Sequence, residues 1–477
     1  MARRTRRAAL LTLAMINVFT LAAGIAVVRM LPARLAALRV PVVAAGRVAG
    51  PGAVLPAGTQ RGTLPTARSG LRSALAGPLS TAALGPDVSA LVADPVTGRV
   101  LLSEQGSQSS TPASTEKLVT SLAALAVLGA GARFTTRVVH GATPGRVILV
   151  GGGDPTLAVN AFPASDYPKP ATLAALAGAT AQALKSQHRA TVSLGYDTSL
   201  FTGPPLAPGW PDTYVSTGNV TPIASLEVDQ GRLSLAGTPE DSDDPYNLRP
   251  RSADPAAVAA SAFAALLTAD GIKVSGTPVA QTAPPHAPAI ASVSSPPLSA
   301  IVQQMLQESN NVVAEDLARQ VAVATGRPAS FSGAAVAVTA ELRRLGVTGG
   351  LAMVDGSGLS PQDAIAPVTL VKVVELAMAR PGLRALLAGL PVAGFSGTLH
   401  AGQSVFSAIG GAALGTVRAK TGNLDTVTTL AGLVSDQGGT TLVFAFMADR
   451  VPAAGMLTEA AGAIDAAAVA LAACGCR

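Results

Sequence analysis

The chain has 477 residues, 49% hydrophobic and 13% charged, which is enough apolar chain for two or three domains and too little charge for a disordered protein. The formal charge of +6 is uneven: residues 1–84 hold 11 of the 34 basic residues and no acid, leaving 23 against 28 in residues 85–477, a net −5. A mildly acidic body excludes a nucleic-acid groove, and the basic excess belongs to an N-terminal arm.

Arg3, Arg4, Arg6 and Arg7 precede an uncharged stretch of 21 residues, Ala8 to Val28, closed by Arg29. About 20 apolar residues span a bilayer as a helix, so residues 1–29 read as a signal anchor with the arginine end inside, or as a cleaved signal peptide. Both readings put the body outside the cytoplasmic membrane, anchored in it or secreted to the wall. Residues 30–84 are rich in Ala, Pro, Gly and Arg without a clean period and read as a linker. Its arginines suit anionic lipid or wall polymer as well as plain solvent.

Order is expected from about residue 86. Val88–Ala93 and Arg99–Ser103 predict strands joined by the turn Asp94–Gly98. Thr111-Pro-Ala-Ser-Thr-Glu-Lys117 then leads into an apolar helical run, Leu118–Leu128, with Ser114 at the helix entrance. Arg146–Val150 predicts a strand running into Gly151-Gly-Gly-Asp-Pro155. Turns and short strands follow, with an Ala-rich helix near 171–187 and a Pro-rich patch at 283–297. Leu298–Ala324 predicts a long amphipathic helical region holding Glu308-Ser-Asn-Asn311. Strands at 414–420, 425–434 and 440–447 and a helix over 453–473 complete the pattern, before Cys474 and Cys476. Two cysteines make neither a disulfide framework nor a four-ligand zinc site.

Three short motifs carry chemistry. In Ser114-x-x-Lys117 the two side chains share a helix face. A serine hydroxyl needs a base to become a nucleophile, and a lysine is that base only when burial or a neighbouring cation lowers its pKa. The helix start adds free backbone N–H groups for a developing oxyanion. In Ser309-x-Asn311 a hydroxyl relays protons, and an amide both donates to a substrate carbonyl and accepts from a lysine. In Lys420-Thr421-Gly422 a fixed charge and a hydroxyl suit a substrate carboxylate, and glycine leaves room for a ligand along a strand edge. Each motif alone is a weak signal; their joint presence, in this order, is a strong one.

The set S-x-x-K, S-x-N, K-T-G is the signature of penicillin-binding proteins and serine β-lactamases. Within that group the sequence resembles the D-alanyl-D-alanine carboxypeptidase/endopeptidase family, the class C low-molecular-mass penicillin-binding proteins. The resembling stretches are Gly151–Leu157, Ser309-Asn-Asn-Val-Val-Ala-Glu315, Asp355-Gly-Ser-Gly-Leu-Ser360, Gly397-Thr-Leu399 and Val417–Asn423. Lys117 and Ser309 stand 192 positions apart, where that family inserts extra domains.

The resemblance implies an α/β (α+β) fold: a penicillin-binding-protein/serine β-lactamase-like transpeptidase core in two parts, 85–136 and 298–477, with an inserted β-rich domain or domains over 137–297. It implies Ser114 as acylated nucleophile, Lys117 as base, Ser309 as proton relay and Asn311 as a hold on both peptide and Lys117. Lys420 and Thr421 would grip the terminal carboxylate, with Gly422 beside them, and the backbone N–H groups of Ser114 and Asn423 would form the oxyanion hole. Asp154 would either meet the stem's amino group or cap its own turn. The implied partners are peptidoglycan stem peptides, β-lactams as inhibitors, and the membrane through the N-terminal segment.

Two departures stand out. Pro361 follows Ser360 where the family often has a substrate-contacting arginine, and His400-Ala-Gly402 lacks an arginine expected nearby. No cofactor or metal is expected. Histidines 140, 188, 286 and 400 lack ligand spacing, no phosphate-loop or dinucleotide pattern occurs, and Gly394-Phe-Ser-Gly-Thr398 misses a nucleophile elbow. Glu315 reads as a helix-face or salt-bridge residue, and Trp210 as local core.

Overall fold

The computed structural model describes residues 68–161, 167–233, 249–400, 406, 411–452 and 454–475. In chain order the principal elements are α1 (Arg68–Leu79), β1 (Asp87–Asp94), β2 (Arg99–Glu104), α2 (Glu116–Leu128), β3 (Thr135–His140), β4 (Arg146–Val150), α3 (Leu173–Ser186) and β5 (Thr191–Asp197). Then come α4 (Pro255–Ala269), β6 (Lys273–Val274), β7 (Val279–Ala280), β8 (Ala289–Ser294), α5 (Leu298–Glu308), α6 (Asn311–Ala324) and α7 (Phe331–Arg344). The last are β9 (Leu351–Ala352), β10 (Ala364–Ile365), α8 (Pro367–Ala379), α9 (Ala385–Gly389), β11 (Val417–Leu424), β12 (Val427–Ser435), β13 (Thr441–Asp449) and α10 (Leu457–Ala473).

A five-stranded antiparallel sheet, ordered β11-β12-β13-β1-β2, joins the two ends of the chain, with β1 paired to β13 from Asp87 opposite Asp449 to Ala93 opposite Val443. Both faces of its inner strands are covered, so β13 is apolar throughout rather than alternating. The period of two still sorts its side chains. Val443, Ala445 and Met447 pack with α2, α5, α6, α7 and α8, whereas Leu442, Phe444, Phe446 and Ala448 pack with α1 and α10.

The helix α1 corrects the expected linker boundary. Leu71, Leu75 and Leu79 recur every four residues, forming one face buried in the second of these layers. Folded structure therefore starts within residues 30–84, well ahead of residue 85. The arginine-rich segment 1–29 lies outside the described residues, and among the described residues no helix is long and apolar enough to cross a membrane.

Residues 135–294 build a second sheet, β6-β5-β4-β3-β8, with β7 also on β5. The β4–β5 pair is parallel, which needs a crossover, and α3 supplies it. Leu173, Leu176 and Leu184 of α3 and Phe263 and Leu267 of α4 pack on Val147, Leu149, Val192 and Leu194. This region was expected to be β-rich; the helices α3 and α4 covering its sheet make it mixed α/β. A smaller cluster of Phe201, Trp210, Val220 and Ile223 with Val312, Phe331 and Leu359 fastens the 201–223 loops to α6 and α7.

The long helical region expected over 298–324 is two helices. Ser309 adopts the left-handed conformation (φ 55°), which ends α5, and the Asn310 side chain accepts from Val313 N at 3.2 Å, which starts α6. The break places Ser309 and Asn311 at a turn, where Asn311 meets Lys117 of α2 and Ser309 meets Lys420 of β11.

Candidate active site

Ser114 does not cap a helix, as its place at the helix entrance suggested. It sits in a one-turn 3-10 segment, Ala113–Thr115, ahead of α2, following Ala113 at φ 46°. A non-glycine residue in that region stores strain. Gly358 accommodates it: a Cβ there would stand 1.9 Å from the Ala113 carbonyl oxygen.

One turn on, Lys117 is fully buried. Its Nζ lies 2.9 Å from Ser114 Oγ, 2.7 Å from Asn311 Oδ1 and 2.7 Å from the Ser357 carbonyl oxygen. An ammonium donates to all three. A neutral amine keeps two N–H groups for Asn311 and Ser357 and turns its lone pair to the Ser114 hydroxyl. Burial pulls Lys117 down to about 8, against the opposing pull of Asp355, Glu315 and Glu116. The Asn311 amide is itself oriented, because its Nδ2 donates to the Asn219 carbonyl at 2.8 Å.

Lys420, from the edge strand β11, is equally buried. Its Nζ donates to Ser309 Oγ at 2.8 Å and to the Thr421 carbonyl at 2.8 Å. Burial, aided by the charge of Lys117, holds it well below the ordinary lysine range. The Thr421 hydroxyl lies 2.7 Å from that of Thr398 in the Gly397-Thr-Leu399 turn.

The space beside Gly422 is occupied by protein rather than left for a ligand. A Cβ there would meet Thr429 Oγ1 at 2.3 Å, the Pro112 carbonyl at 2.9 Å and Ser114 N at 2.9 Å. Glycine at this point lets β11 press against the backbone of the Ser114 turn. Asn423 follows, exposed and opposite Thr428. Residues 391–393 bond to the first half of β11, through Ala393 N to the Val417 carbonyl and Ala419 N to the Pro391 carbonyl. Among the described residues no backbone partner takes its outer edge beyond Ala419.

The structure thus brings together Ser114, Lys117, Ser309, Asn311, Lys420 and Thr421 from three distant stretches of chain. Asp154 belongs elsewhere: it is buried, and its Oδ1 accepts from Thr156 N at 2.9 Å and Thr156 Oγ1 at 2.6 Å. That geometry is the turn-capping alternative. Glu315 corrects its reading as a helix-face or ion-pair residue. It is buried, burial pushes it up to about 8, and both its oxygens accept from Gly356 N at 3.0 Å. Trp210 is core, as expected, in a T-shaped contact with Phe331, and its Nε1 also donates to Asp355 Oδ2 at 2.7 Å.

Asp355, the first residue of the Asp355–Ser360 stretch, organises the site. Besides Trp210, its carboxylate accepts from Ser357 N, Ser357 Oγ, Gly358 N and Ser360 N at 2.7–3.3 Å. Those bonds fold the loop that aims the Ser357 carbonyl at Lys117. An acid followed by Gly-Ser-Gly is a turn signal that sequence reading could have used.

Comparison with known proteins gives the family. The family model for the D-Ala-D-Ala carboxypeptidase 3 (S13) family matches residues 71–249 and 232–472. The chain belongs to that family. It is thereby a serine-type peptidase, a hydrolase of the carboxypeptidase class. Carboxypeptidase DacB of Mycolicibacterium smegmatis is 38% identical over 417 residues, covering 86% of this chain and 85% of its own. The crystal structure of penicillin-binding protein 4 (DacB) from Haemophilus influenzae superposes with a TM-score of 0.64 at 23% identity, over 79% of this chain and 93% of that one. The same Haemophilus protein complexed with a β-lactam superposes at 0.59 with the same identity and coverage. At that identity the structural likeness speaks for the fold, a mixed α/β penicillin-binding-protein type.

Proposed function

We propose that this protein is an exported DD-peptidase that removes the terminal D-alanine of peptidoglycan stem peptides, and cuts D-Ala cross-links, through an acyl-enzyme on Ser114. The observation that carries the reading is the Lys117 amine, fully buried and 2.9 Å from the Ser114 hydroxyl. Neutral Lys117 takes the hydroxyl proton while Oγ attacks the carbonyl carbon of the penultimate residue. The backbone N–H groups of Ser114 and Asn423 face the oxyanion. The C–N bond then breaks, and the departing D-alanine amine takes its proton from Lys117 through the Ser309 hydroxyl, which Lys420 holds at 2.8 Å. Water next attacks the ester, with Lys117 again accepting the proton, and Ser114 is restored.

Lys420 and Thr421 receive the substrate's terminal carboxylate. Two buried amines, with no carboxylate among the described residues bonded to either, disfavour each other's charge, so an incoming anion is well placed to restore the Lys420 ammonium. Residues 137–297 form an insert in a transpeptidase-type core. The arginine-flanked apolar segment 1–29 supports export and membrane attachment, which fractionation of cells carrying the full chain tests. For β-lactams, the Haemophilus complex and the three motifs support acylation of Ser114.

The test is labelling with a fluorescent penicillin. The wild type should hold the label for many minutes, and Ser114→Ala should take none. Release within seconds would instead favour a β-lactamase or esterase on the same core. Equal peptidoglycan binding by both proteins without any label would favour a wall-binding module.

A further inference from the structure

Between the two residues of the Ser114-x-x-Lys117 motif stands a third ionisable group that the reaction above leaves unused. Glu116 is fully buried, and neither of its oxygens has a hydrogen-bond partner. One oxygen each of Glu116, Asp355 and Asp363 lies within 4.8 Å of the others. Asp363 immediately precedes β10, is 1% exposed, and accepts through Oδ1 from Val354 N at 2.5 Å and Asp355 N at 3.4 Å. Its Oδ2 has no partner.

Three acids in one dry pocket must be reconciled with one another and with the lysine above them. Asp355 carries its charge on five donors. The groups facing Glu116 are Asp355 and Asp363 from the loop and Glu315 from α6, with Lys117 on its own helix, Lys420 beyond Lys117, and Arg319 beside Glu315. None of the described donors reaches Glu116. Left ionised, it would be an unsolvated charge among three other acids, a far costlier arrangement than an O–H donated to a neighbouring carboxylate. Asp355 has no room for that proton, whereas Asp363 Oδ2 does. A cation among the three acids fits less well, because the Asp355 oxygens are already taken by N–H and O–H groups.

We propose that Glu116 and Asp363 hold one proton between them, donated by Glu116 to Asp363, and that this shared proton makes Glu116 a positioning residue for Lys117 by keeping a Glu116 charge from adding to that of Asp355 beneath the amine. Burial and the neighbouring acids push both Glu116 and Asp363 above the ordinary carboxyl range, in keeping with a proton retained by the pair. The consequence is electrostatic. A second charge beneath Lys117 would favour its ammonium and deprive Ser114 of its base at neutral pH.

The inference rests on Lys117 as base, so the experiment separates the two. The rate of penicillin labelling is followed against pH for the wild type, Glu116→Gln and the double variant Glu116→Gln/Asp363→Asn, all in the full chain. Glutamine replaces the O–H donor with an N–H donor and leaves Asp363 charged, so the acid limb should stay within a few tenths of a pH unit. The double variant removes the charge of the pair and leaves that of Asp355, and the limb should fall by about one pH unit. Wild type minus Glu116→Gln infrared difference spectra at neutral pH should show a protonated carboxyl band. A limb that moves as far in Glu116→Gln as in the double variant, or the absence of that band, overturns the shared proton. So does tight stoichiometric binding of a divalent cation that Glu116→Gln abolishes. A flat wild-type profile would overturn Lys117 as base while the infrared band still reports the pair. If Glu116→Gln does not fold, Asp363→Asn serves for the infrared arm, since an asparagine donor lets Glu116 ionise and the band should vanish.

Discussion

Trp210 Nε1 donates to Asp355 Oδ2 at 2.7 Å, with both residues buried. The bond ties a loop between β5 and α4 to the loop whose Ser357 carbonyl accepts from Lys117. Asn219, nine residues along the same stretch, accepts from the Asn311 amide that also holds Lys117. Two of the three acceptors around the lysine are thus set from residues 210–219.

Trp210→Phe therefore reaches the chemistry without touching it. The ring stacking edge-on to Phe331 persists, but Asp355 loses one of five donors, a loss of roughly 1–3 kcal/mol for a buried group. Labelling by fluorescent penicillin should slow about tenfold, with the acid limb of its pH profile displaced upward because a less satisfied Asp355 charge favours the Lys117 ammonium. An unchanged rate and profile would reduce the bond to packing.

The pH dependence itself follows from Lys117. Its pKa is lowered to about 8 by burial, and the neutral form is the base. Acylation should rise with pH, level off above about 8, and fall about tenfold per unit below it. Stopped-flow labelling between pH 5 and 9 measures this, and a flat rate would remove lysine from the role. Lys117→Arg should abolish labelling at every pH, because a guanidinium does not give up its proton in this range.

Gly422→Ala tests the contact between β11 and the Ser114 turn. The added methyl would stand 2.9 Å from both the Pro112 carbonyl and Ser114 N and 2.3 Å from Thr429 Oγ1. Either β11 or the turn must shift, and about 1–3 kcal/mol of overpacking strain is expected. Tm should fall, and acylation should fall further than stability does, since the displaced backbone includes the Ser114 N–H. Full labelling at native rate would show that the turn tolerates displacement.

Much of this was legible in the sequence because it is local. Apolar runs marked β1, α2, α3 and β11 to β13 within a few residues, and the three motifs named the side chains that meet. What stayed hidden depends on tertiary burial. Glu116, Glu315 and Asp363 are acids whose charge predicts solvent, and only packing against the Asp355 loop removes it. The helix α1 hid because Ala, Gly, Pro and Arg dilute the period of Leu71, Leu75 and Leu79. The break between α5 and α6 hid because the sequence supplies no glycine there, and Ser309 takes a conformation that glycine ordinarily marks.

That conformation makes Ser309 separable into two parts, a hydroxyl and a backbone. At φ 55° glycine is unstrained, whereas serine and alanine alike carry a Cβ that costs about 1 kcal/mol in that geometry. Both variants lose the hydroxyl contact, but only Ser309→Gly also relieves the strain, so Ser309→Gly should have the higher Tm of the two. Both remove the group that Lys420 binds at 2.8 Å, so both should lose D-alanine release from a D-Ala-D-Ala peptide by about 10²-fold or more, the scale of a lost general acid. Penicillin labelling should fall less than peptide turnover, because opening the strained lactam leaves its nitrogen tethered rather than released. A Ser309→Gly protein with a native peptidase rate would remove the hydroxyl from the proton relay.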